Sequence, residues 1–289
     1  NFATFGWDEG ELVDAIDIVD AQGDAATLGS GLTPLYLTYR HYPVDDPKVT
    51  GAYGEWKDYN AYSDFISSEG VPVFYARVDH VSVPLAKEGT GQVVVDFTPE
   101  PLTQDVSFVF HIEKTADVVV DSLTAEISGI PSTMELTTGL ILAQKTYKLL
   151  FRPTYAALPS AADSASAEAL RCEASVNIPG IVRSHTEDMV TGPGILQIAI
   201  YTHYDYEEEG TQRKAAKVFH AGINLYHTLK ERKSLQWDEE ENGYRQASRS
   251  ITVEIGSPLN IDKDGILNGG STSTGLDQWI PGETFEIEV

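Results

Sequence analysis

Apolar side chains recur at every second position along many short stretches of this chain, and this alternation constrains the fold more than any other feature. It is clear in Val106–Ile112, Leu123–Ile127, Ile251–Ile255 and Phe285–Val289. Successive side chains of a strand point to opposite faces of a sheet, so this period predicts strands with one buried face. Glycine–proline turn signals separate the runs. The sequence therefore predicts an all-β chain of stacked sheets.

The same reasoning predicts further strands and a division of the chain. Strands are predicted at Pro34–Tyr42, Val71–Val83, Gln92–Phe97, Thr146–Arg152, Ile195–Tyr201 and Val218–Thr228. A charged, solvated loop is predicted at Glu207–Lys217. The first linker-like break lies just before Gln92, which predicts an N-terminal domain over 1–90 and a C-terminal domain over 91–289.

Charge excludes several classes of partner. Asp and Glu number 44 against 20 Lys and Arg, which gives a formal net charge of −24. Such a chain repels phosphate backbones and anionic lipid surfaces, so we expect neither nucleic-acid binding nor direct membrane docking.

The single cysteine, Cys172, cannot form a disulfide within the chain. It falls on the apolar face of the alternating stretch Leu170–Ile178. A buried, inert thiol is expected there, because a reactive thiol needs exposure and a cationic neighbour.

No motif for catalysis or cofactor binding is present. The chain lacks a Gly-x-Ser-x-Gly nucleophile elbow, a glycine-rich phosphate loop and a His-Glu-x-x-His helix. We therefore expect a protein that is not an enzyme and needs no cofactor.

One stretch resembles a metal site. Asp262 and Asp264 occupy alternate positions of Asn260–Gly265, as in the first half of a calcium loop. Ser271 stands where that loop needs a bidentate glutamate. The alternative is an Asp-Gly turn in a solvated loop.

Aromatic residues are the candidates for ligand recognition. Tyr53, Trp56 and Tyr59 lie among aspartates, and flat rings beside carboxylates suit stacking on sugars and bonding to their hydroxyls. The alternative is that these rings fill a core, because Tyr is favoured in strands. A second cluster comprises Tyr201, His203, Tyr204 and Tyr206 and leaves the same two interpretations open.

Several short segments, in order along the chain, are similar to a known family. They are Phe5–Asp8, Val93–Phe97 followed by Pro101–Phe110, Ser122–Pro131, Gly269–Gly270, Leu276–Trp279 and Phe285–Val289. Together they resemble fimbrillin-type (type V pilus) subunits, and most nearly the fimbrillin-associated anchor and accessory lipoproteins.

The resemblance implies two tandem transthyretin-like (Greek-key) β-sandwich domains on an exported, outer-membrane-anchored lipoprotein. Its lipid would be attached upstream of Asn1, and that lipid would be the chain's contact with the membrane. The partners implied are other pilus subunits, joined by β-augmentation, with Phe285, Ile287 and Val289 as the candidate partner strand.

Residues 1–39 contain no Lys or Arg, so the trypsin-like maturation of stalk subunits has no target before Arg40. This favours an anchor, tip or accessory subunit. The alternative function is a surface carbohydrate-binding adhesin module.

Overall fold

The computed structural model of the protein describes residues 2–6, 16–25, 34–43, 46–47, 65–66, 72–78, 94–158, 167–181, 194–232, 236–239, 243–245, 250–269 and 279–287. These residues are almost entirely β, with one short helix, so the predicted all-β class is confirmed. Across these residues no helix is long and apolar enough to cross a membrane.

The elements, in chain order, are β1 (Phe2–Gly6), β2 (Ile16–Val19), β3 (Tyr36–Tyr39), β4 (His41–Tyr42), β5 (Phe65–Ile66), β6 (Phe74–Val78), β7 (Glu100–Pro101), β8 (Gln104–Thr115), β9 (Val118–Glu135), β10 (Leu140–Phe151), β11 (Thr154–Ala157), β12 (Ala167–Ile178), β13 (Ile195–Glu208), β14 (Thr211–Asn224), α1 (Tyr226–Glu231), β15 (Gln236–Asp238), β16 (Gly243–Arg245), β17 (Ser250–Glu254), β18 (Leu259–Ile261), β19 (Ile266–Gly269) and β20 (Ile280–Ile287).

The largest sheet has eleven strands, and its main path runs β15-β16-β10-β9-β13-β14-β20. The long strand β9 belongs to two pairings, because Val118–Ile127 pairs with β13 and Ala125–Glu135 pairs with β10. Strands β3 and β5 join the same sheet through β9 and β10.

A six-stranded sheet covers one face of the first. Its path is β11-β12-β8-β18-β19, and β17 also pairs with β8. β8 is antiparallel to β12 and parallel to both β17 and β18. A smaller sheet of three strands, β1-β6-β7, completes the described topology.

The two larger sheets share one core, which makes them a sandwich. Phe108 of β8 stacks on Phe151 of β10 with ring centroids 5.6 Å apart. Phe110 and Cys172 from one sheet and Ile198 from the other are fully buried in the same cluster. Burying apolar side chains between two sheets is the main stabilising term of such a fold.

The opposite face of the eleven-stranded sheet is also partly covered. Phe65, Leu150, Ala199 and Val218 form a second buried apolar cluster there. Side chains on both faces of β10, β13 and β14 are therefore shielded from solvent over part of their length.

Three local predictions were wrong. The strand predicted at Val218–Thr228 ends at Asn224, and the last three residues of the predicted range belong to α1. Residues 94–97, predicted as part of a strand, form none, and Val94 is 72% exposed, so it faces no apolar layer. Glu207–Lys217, predicted as a loop, instead forms the outer end of the β13–β14 hairpin. The predicted domain boundary at 90/91 lies outside the described residues, and the division into two transthyretin-like domains stays a prediction.

Candidate functional site

The candidate partner strand forms part of β20, at one edge of the eleven-stranded sheet. Phe285 lies opposite Val218 of β14, and Ile287 lies opposite Ala216. Val289 lies outside the described residues. The alternating tail is thus a strand of the chain's own sheet, and among the described strands it pairs in that sheet on one side, with β14.

The pairing of β20 with β14 is interrupted. Its register shifts between Phe219 and Ala221, opposite Thr284 and Pro281. Proline has no backbone N–H to donate to a neighbouring strand, and a bulge leaves residues unpaired. β20 is therefore held by fewer ladder hydrogen bonds than its length allows.

A buried tryptophan precedes β20, and one exposed aliphatic side chain lies on each of β19 and β20. Trp279 is buried, its indole Nε1 donates to the backbone oxygen of Ser257 at 3.0 Å, and its ring meets Phe110 edge-on at 5.7 Å. Ile280 is 68% exposed, and Leu267 of the neighbouring edge strand β19 is 58% exposed. β19 and β20 are in contact, although they belong to different sheets.

The first aromatic cluster lies outside the described residues, so a sugar-stacking role for Tyr53, Trp56 and Tyr59 stays a prediction. Of the neighbouring tyrosines, Tyr39 is buried in the core, and desolvation raises the pKa of its hydroxyl. Tyr42 packs against the buried cluster that contains Phe65. The positions of Tyr39 and Tyr42 agree with the alternative that tyrosines of this region fill a core.

The second aromatic cluster divides between the two faces of β13. Tyr201 packs against the second buried apolar cluster. His203 is hydrogen-bonded through Nδ1 to both carboxylate oxygens of Asp121, at 2.8 and 2.9 Å. Tyr204 and Tyr206 lie with ring centroids 6.2 Å apart.

Two partners of this cluster could not be found from sequence. Lys217 places its Nζ 5.4 Å from the Tyr204 ring centroid, a distance at which a cation is attracted to an aromatic face. Asp121 lies 82 residues from His203. Both pairs depend on strand register, which local sequence does not specify.

The metal-like stretch forms the turn between β18 and β19. Asp262 accepts hydrogen bonds through Oδ1 from the backbone N–H groups of Asp264, at 2.7 Å, and Gly265, at 2.9 Å. This is an Asx-type turn, in which the carboxylate satisfies the backbone. In the part of the chain that the structure describes, no group of three or more metal-ligating side chains comes together.

Arg40 is held in an ion pair at the end of β3. Its Nε and Nη2 donate to the two carboxylate oxygens of Asp17, at 2.9 and 2.7 Å. The hydrogen bond from Arg40 is the main cause that lowers the pKa of Asp17. The first basic residue of the chain is therefore tied back to β2, the strand that pairs with β3.

Cys172 and the ion pair between Lys148 and Glu126 both lie in the buried interior of the fold. Cys172 is fully buried, so its expected burial is confirmed, and burial raises the pKa of its thiol to about 12; its lack of reactivity stays a prediction. Lys148 Nζ lies 2.9 Å from Glu126 Oε1, with both side chains 2% exposed. The Lys148 ammonium also lies 5.7 Å from the Phe65 ring centroid.

Comparison with known proteins gives distant structural neighbours. No family model matches the chain, and no curated protein matches it. A candidate adhesin from Bacteroides thetaiotaomicron aligns over 88% of this chain and 85% of its own, with 11% identity and a TM-score of 0.33. A candidate adhesin from Bacteroides ovatus aligns over 88% of both chains, with 10% identity and a TM-score of 0.36. Alignments at these TM-scores carry no argument about function, so the proposals below depend on the chain's own residues.

Proposed function

We propose that this chain is a non-catalytic cell-surface subunit of fimbrillin type, an anchor or accessory subunit that joins its neighbours by exchange of the edge strand β20. A location on the outer membrane, through a lipid upstream of Asn1, belongs to the same proposal. The observation that carries it is the one-sided and interrupted pairing of β20 with β14.

Strand exchange follows from what β20 covers. When β20 leaves, residues Ala216–Gly222 of β14 present unpaired backbone groups to solvent. An unpaired strand edge is a template for a strand from another chain. The backbone hydrogen bonds supply affinity, and alternate side chains of an exchanged strand supply specificity. Each apolar side chain buried in the joint contributes about 1.5–3 kcal/mol.

The fixed start of β20 supports the same mechanism. Trp279 is buried against Phe110, so the chain is anchored at the residue that immediately precedes β20. β20 can separate from β14 while Trp279 stays buried in the core. Ile280, which follows this anchor, and Leu267 on β19 are exposed and offer apolar surface that a neighbouring subunit would cover.

The N-terminal region supports an anchor or accessory role over a stalk role. Arg40, the first basic residue, is engaged by Asp17 across the β2–β3 pair. A protease would have to open this pair before it could cut there. Retention of β2 and β3 belongs to the proposed anchor or accessory role.

The proposal is tested with two variants that each carry one added cysteine beside the buried Cys172, Ala216→Cys and Ile287→Cys, mixed under mild oxidation. These positions are directly opposite in the register, and Cα atoms of such pairs lie within the range that a disulfide bridges. Exchange of β20 between copies predicts a disulfide-linked dimer in the mixture. A mixture of Ala216→Cys with Thr252→Cys, an exposed position in the other sheet, is the control and should give none.

The double variant Ala216→Cys/Ile287→Cys makes the result interpretable. It should form an intrachain disulfide, which verifies the register. If this bridge forms while the mixed single variants stay monomeric, β20 does not exchange and the proposal is wrong.

A further inference from the structure

The β13–β14 hairpin continues beyond the strands that flank it. Its ladder extends to the pair Glu208–Thr211, and Glu209 and Gly210, with φ of 51° and 78°, form the two-residue turn. β9 begins to pair with β13 at Tyr204, and β20 pairs with β14 only from Ala216. Among the described strands, the last four residue pairs therefore have no third strand beside them. We call the end of the hairpin, 203–217, the ribbon, and its part without a third strand, 205–214, the outer ribbon.

Every residue from 205 to 214 is exposed, which is unusual for a paired segment. An isolated two-stranded ribbon is marginally stable in water. Neither face of the outer ribbon is covered, so its residues contribute little to the core. Their side chains are therefore available for binding.

The ribbon has two chemically different faces, because side chains alternate along each strand. One face, the tyrosine face, carries Tyr204, Tyr206, Glu208, Arg213, Ala215 and Lys217. The opposite face carries His203, Asp205, Glu207, Gln212, Lys214 and Ala216. Asp121 lies beside the opposite face, bonded to His203.

On the tyrosine face, the rings of Tyr204 and Tyr206 lie side by side. On the neighbouring strand, the small residue Ala215 lies between the cations Arg213 and Lys217. The Tyr204 and Tyr206 rings are 6.2 Å apart at an interplanar angle of 50°, and Tyr206 is 38% exposed. Tyr204 is opposite Ala215, whose methyl group leaves the adjacent surface open. Two adjacent rings of this kind offer an apolar shelf to the flat face of a sugar.

The Lys217 ammonium, beside the two tyrosine rings, is held in place. Lys217 Nζ lies over the Tyr204 ring and donates to the backbone oxygen of Lys263 in the β18–β19 turn, at 2.9 Å. The Thr202 hydroxyl donates to the backbone oxygen of Lys217 at 3.0 Å. The ammonium is thus positioned at the inner end of the shelf. Arg213 lies toward the outer end, paired with Glu208 at 2.8 Å.

The charge of this face is opposite to that of the molecule. Among the ribbon's own residues it carries Arg213 and Lys217 against one acid, Glu208, whereas the whole chain has a net charge of −24. The other face has Asp205 and Glu207 against Lys214. A local excess of positive charge in an acidic protein selects anionic ligands for this one face.

We propose that the tyrosine face binds acidic sugar units of a polysaccharide, with the sugar ring on Tyr206, beside Tyr204, and its carboxylate toward Lys217 and Arg213. This site deepens the carbohydrate-binding alternative and does not depend on exchange of β20. The ring shelf supplies contact with the sugar, and the cations select a uronic acid over a neutral sugar.

The test measures binding of the full chain to three probes by isothermal titration calorimetry at low salt. Oligogalacturonate has sugar rings and carboxylates, dextran has rings alone, and poly-glutamate has carboxylates alone. The proposal predicts binding of oligogalacturonate only, weakening as NaCl screens the charges. Equal binding of dextran would overturn the role of charge, and equal binding of poly-glutamate would overturn the role of the ring. No binding of oligogalacturonate would overturn the site itself.

Variants on the two faces of one ribbon provide the matched comparison. Tyr206→Ser and Lys217→Gln should each weaken oligogalacturonate binding by about fivefold to tenfold. Lys214→Gln, on the opposite face, removes the same charge and should leave affinity unchanged. Melting temperatures distinguish loss of binding from loss of folding, and Tyr206 is exposed enough to be replaced without unfolding the sheet. If Lys214→Gln weakens binding as much as Lys217→Gln, the site is not on the tyrosine face.

Discussion

Replacing Lys148 should destabilise the protein more than replacing any surface charge, because Lys148 forms a buried ion pair. Its Nζ lies 2.9 Å from Glu126 Oε1, and both side chains are 2% exposed. Lys148→Met leaves the Glu126 carboxylate buried without its cation. Breaking a buried pair in this way costs about 3–5 kcal/mol. At about 2–4 °C per kcal/mol for a chain of this size class, Tm should fall by roughly 6 °C or more.

The double variant Glu126→Leu/Lys148→Met separates the cost of an unpaired charge from the value of the pair. Removing both charges leaves an apolar layer, so its free energy of unfolding should be within about 1 kcal/mol of the unaltered protein, or higher. Urea denaturation, monitored by tryptophan fluorescence, measures the free energies of unfolding.

Arg171→Met provides the surface control, since Arg171 pairs with Glu173 at 2.7 Å with side chains 50% and 53% exposed. It should change the free energy of unfolding by less than about 0.5 kcal/mol. The reasoning is refuted if Lys148→Met costs less than about 1 kcal/mol, or if the double variant is less stable than the single one.

Three further predictions concern single residues. Asp17→Asn should lower the free energy of unfolding at neutral pH by less than about 1 kcal/mol, because it removes the ion pair with Arg40. This stabilisation is present above the ordinary pKa of Asp and disappears as pH falls through the lowered pKa of Asp17. Urea titrations between neutral pH and pH 2 measure it, and equal stabilities at neutral pH would contradict it. Cys172, with a pKa of about 12, should not react with Ellman's reagent at pH 8 in the folded protein and should react fully in guanidinium; rapid reaction in the folded state would show that the thiol is accessible. Glu209→Asn should raise Tm, because Glu209 has a φ of 51° that asparagine tolerates better, in the Asn-Gly turn typical of such hairpins; a lower Tm would contradict this.

The sandwich was predictable where one face of a strand is buried and the other is not. The residues of β8 alternate between buried and more exposed along the whole strand, and Val106, Phe108 and Phe110 have no exposed surface. Cys172 of β12 was placed on its buried face by the same period. Alternation is visible in sequence because each such strand separates core from solvent.

The ribbon was missed for the converse reason. With both faces exposed from 205 to 214, its sequence carries no apolar period and reads as a charged loop. The buried Glu126 was also hidden, because the sequence places it on the polar face of an alternating strand. Residues of that face, among them Phe65 of β5 and Leu150 of β10, form a second buried cluster, and this burial depends on strand pairing that local sequence does not reveal.

The candidate sites were only partly predictable. Tyr204 and Tyr206 stood out by composition, but the cation over Tyr204 comes from the neighbouring strand. The tail Phe285–Ile287 was recognised as a strand, whereas its place opposite Ala216 and Val218 requires the register. Residue types identify candidates, and strand pairing decides which of them meet.

Hydrogen–deuterium exchange measured residue by residue tests the opening of β20 most directly. If β20 separates from β14 while the rest of the sheet holds, amides of Thr284–Ile287 should exchange at least about 100-fold faster than those of Ile198–Ile200 in the central strand β13. The disulfide-locked Ala216→Cys/Ile287→Cys chain should remove that difference. Equal protection of the two strands in the unlocked chain would show that β20 is a fixed part of the sheet and would contradict strand exchange.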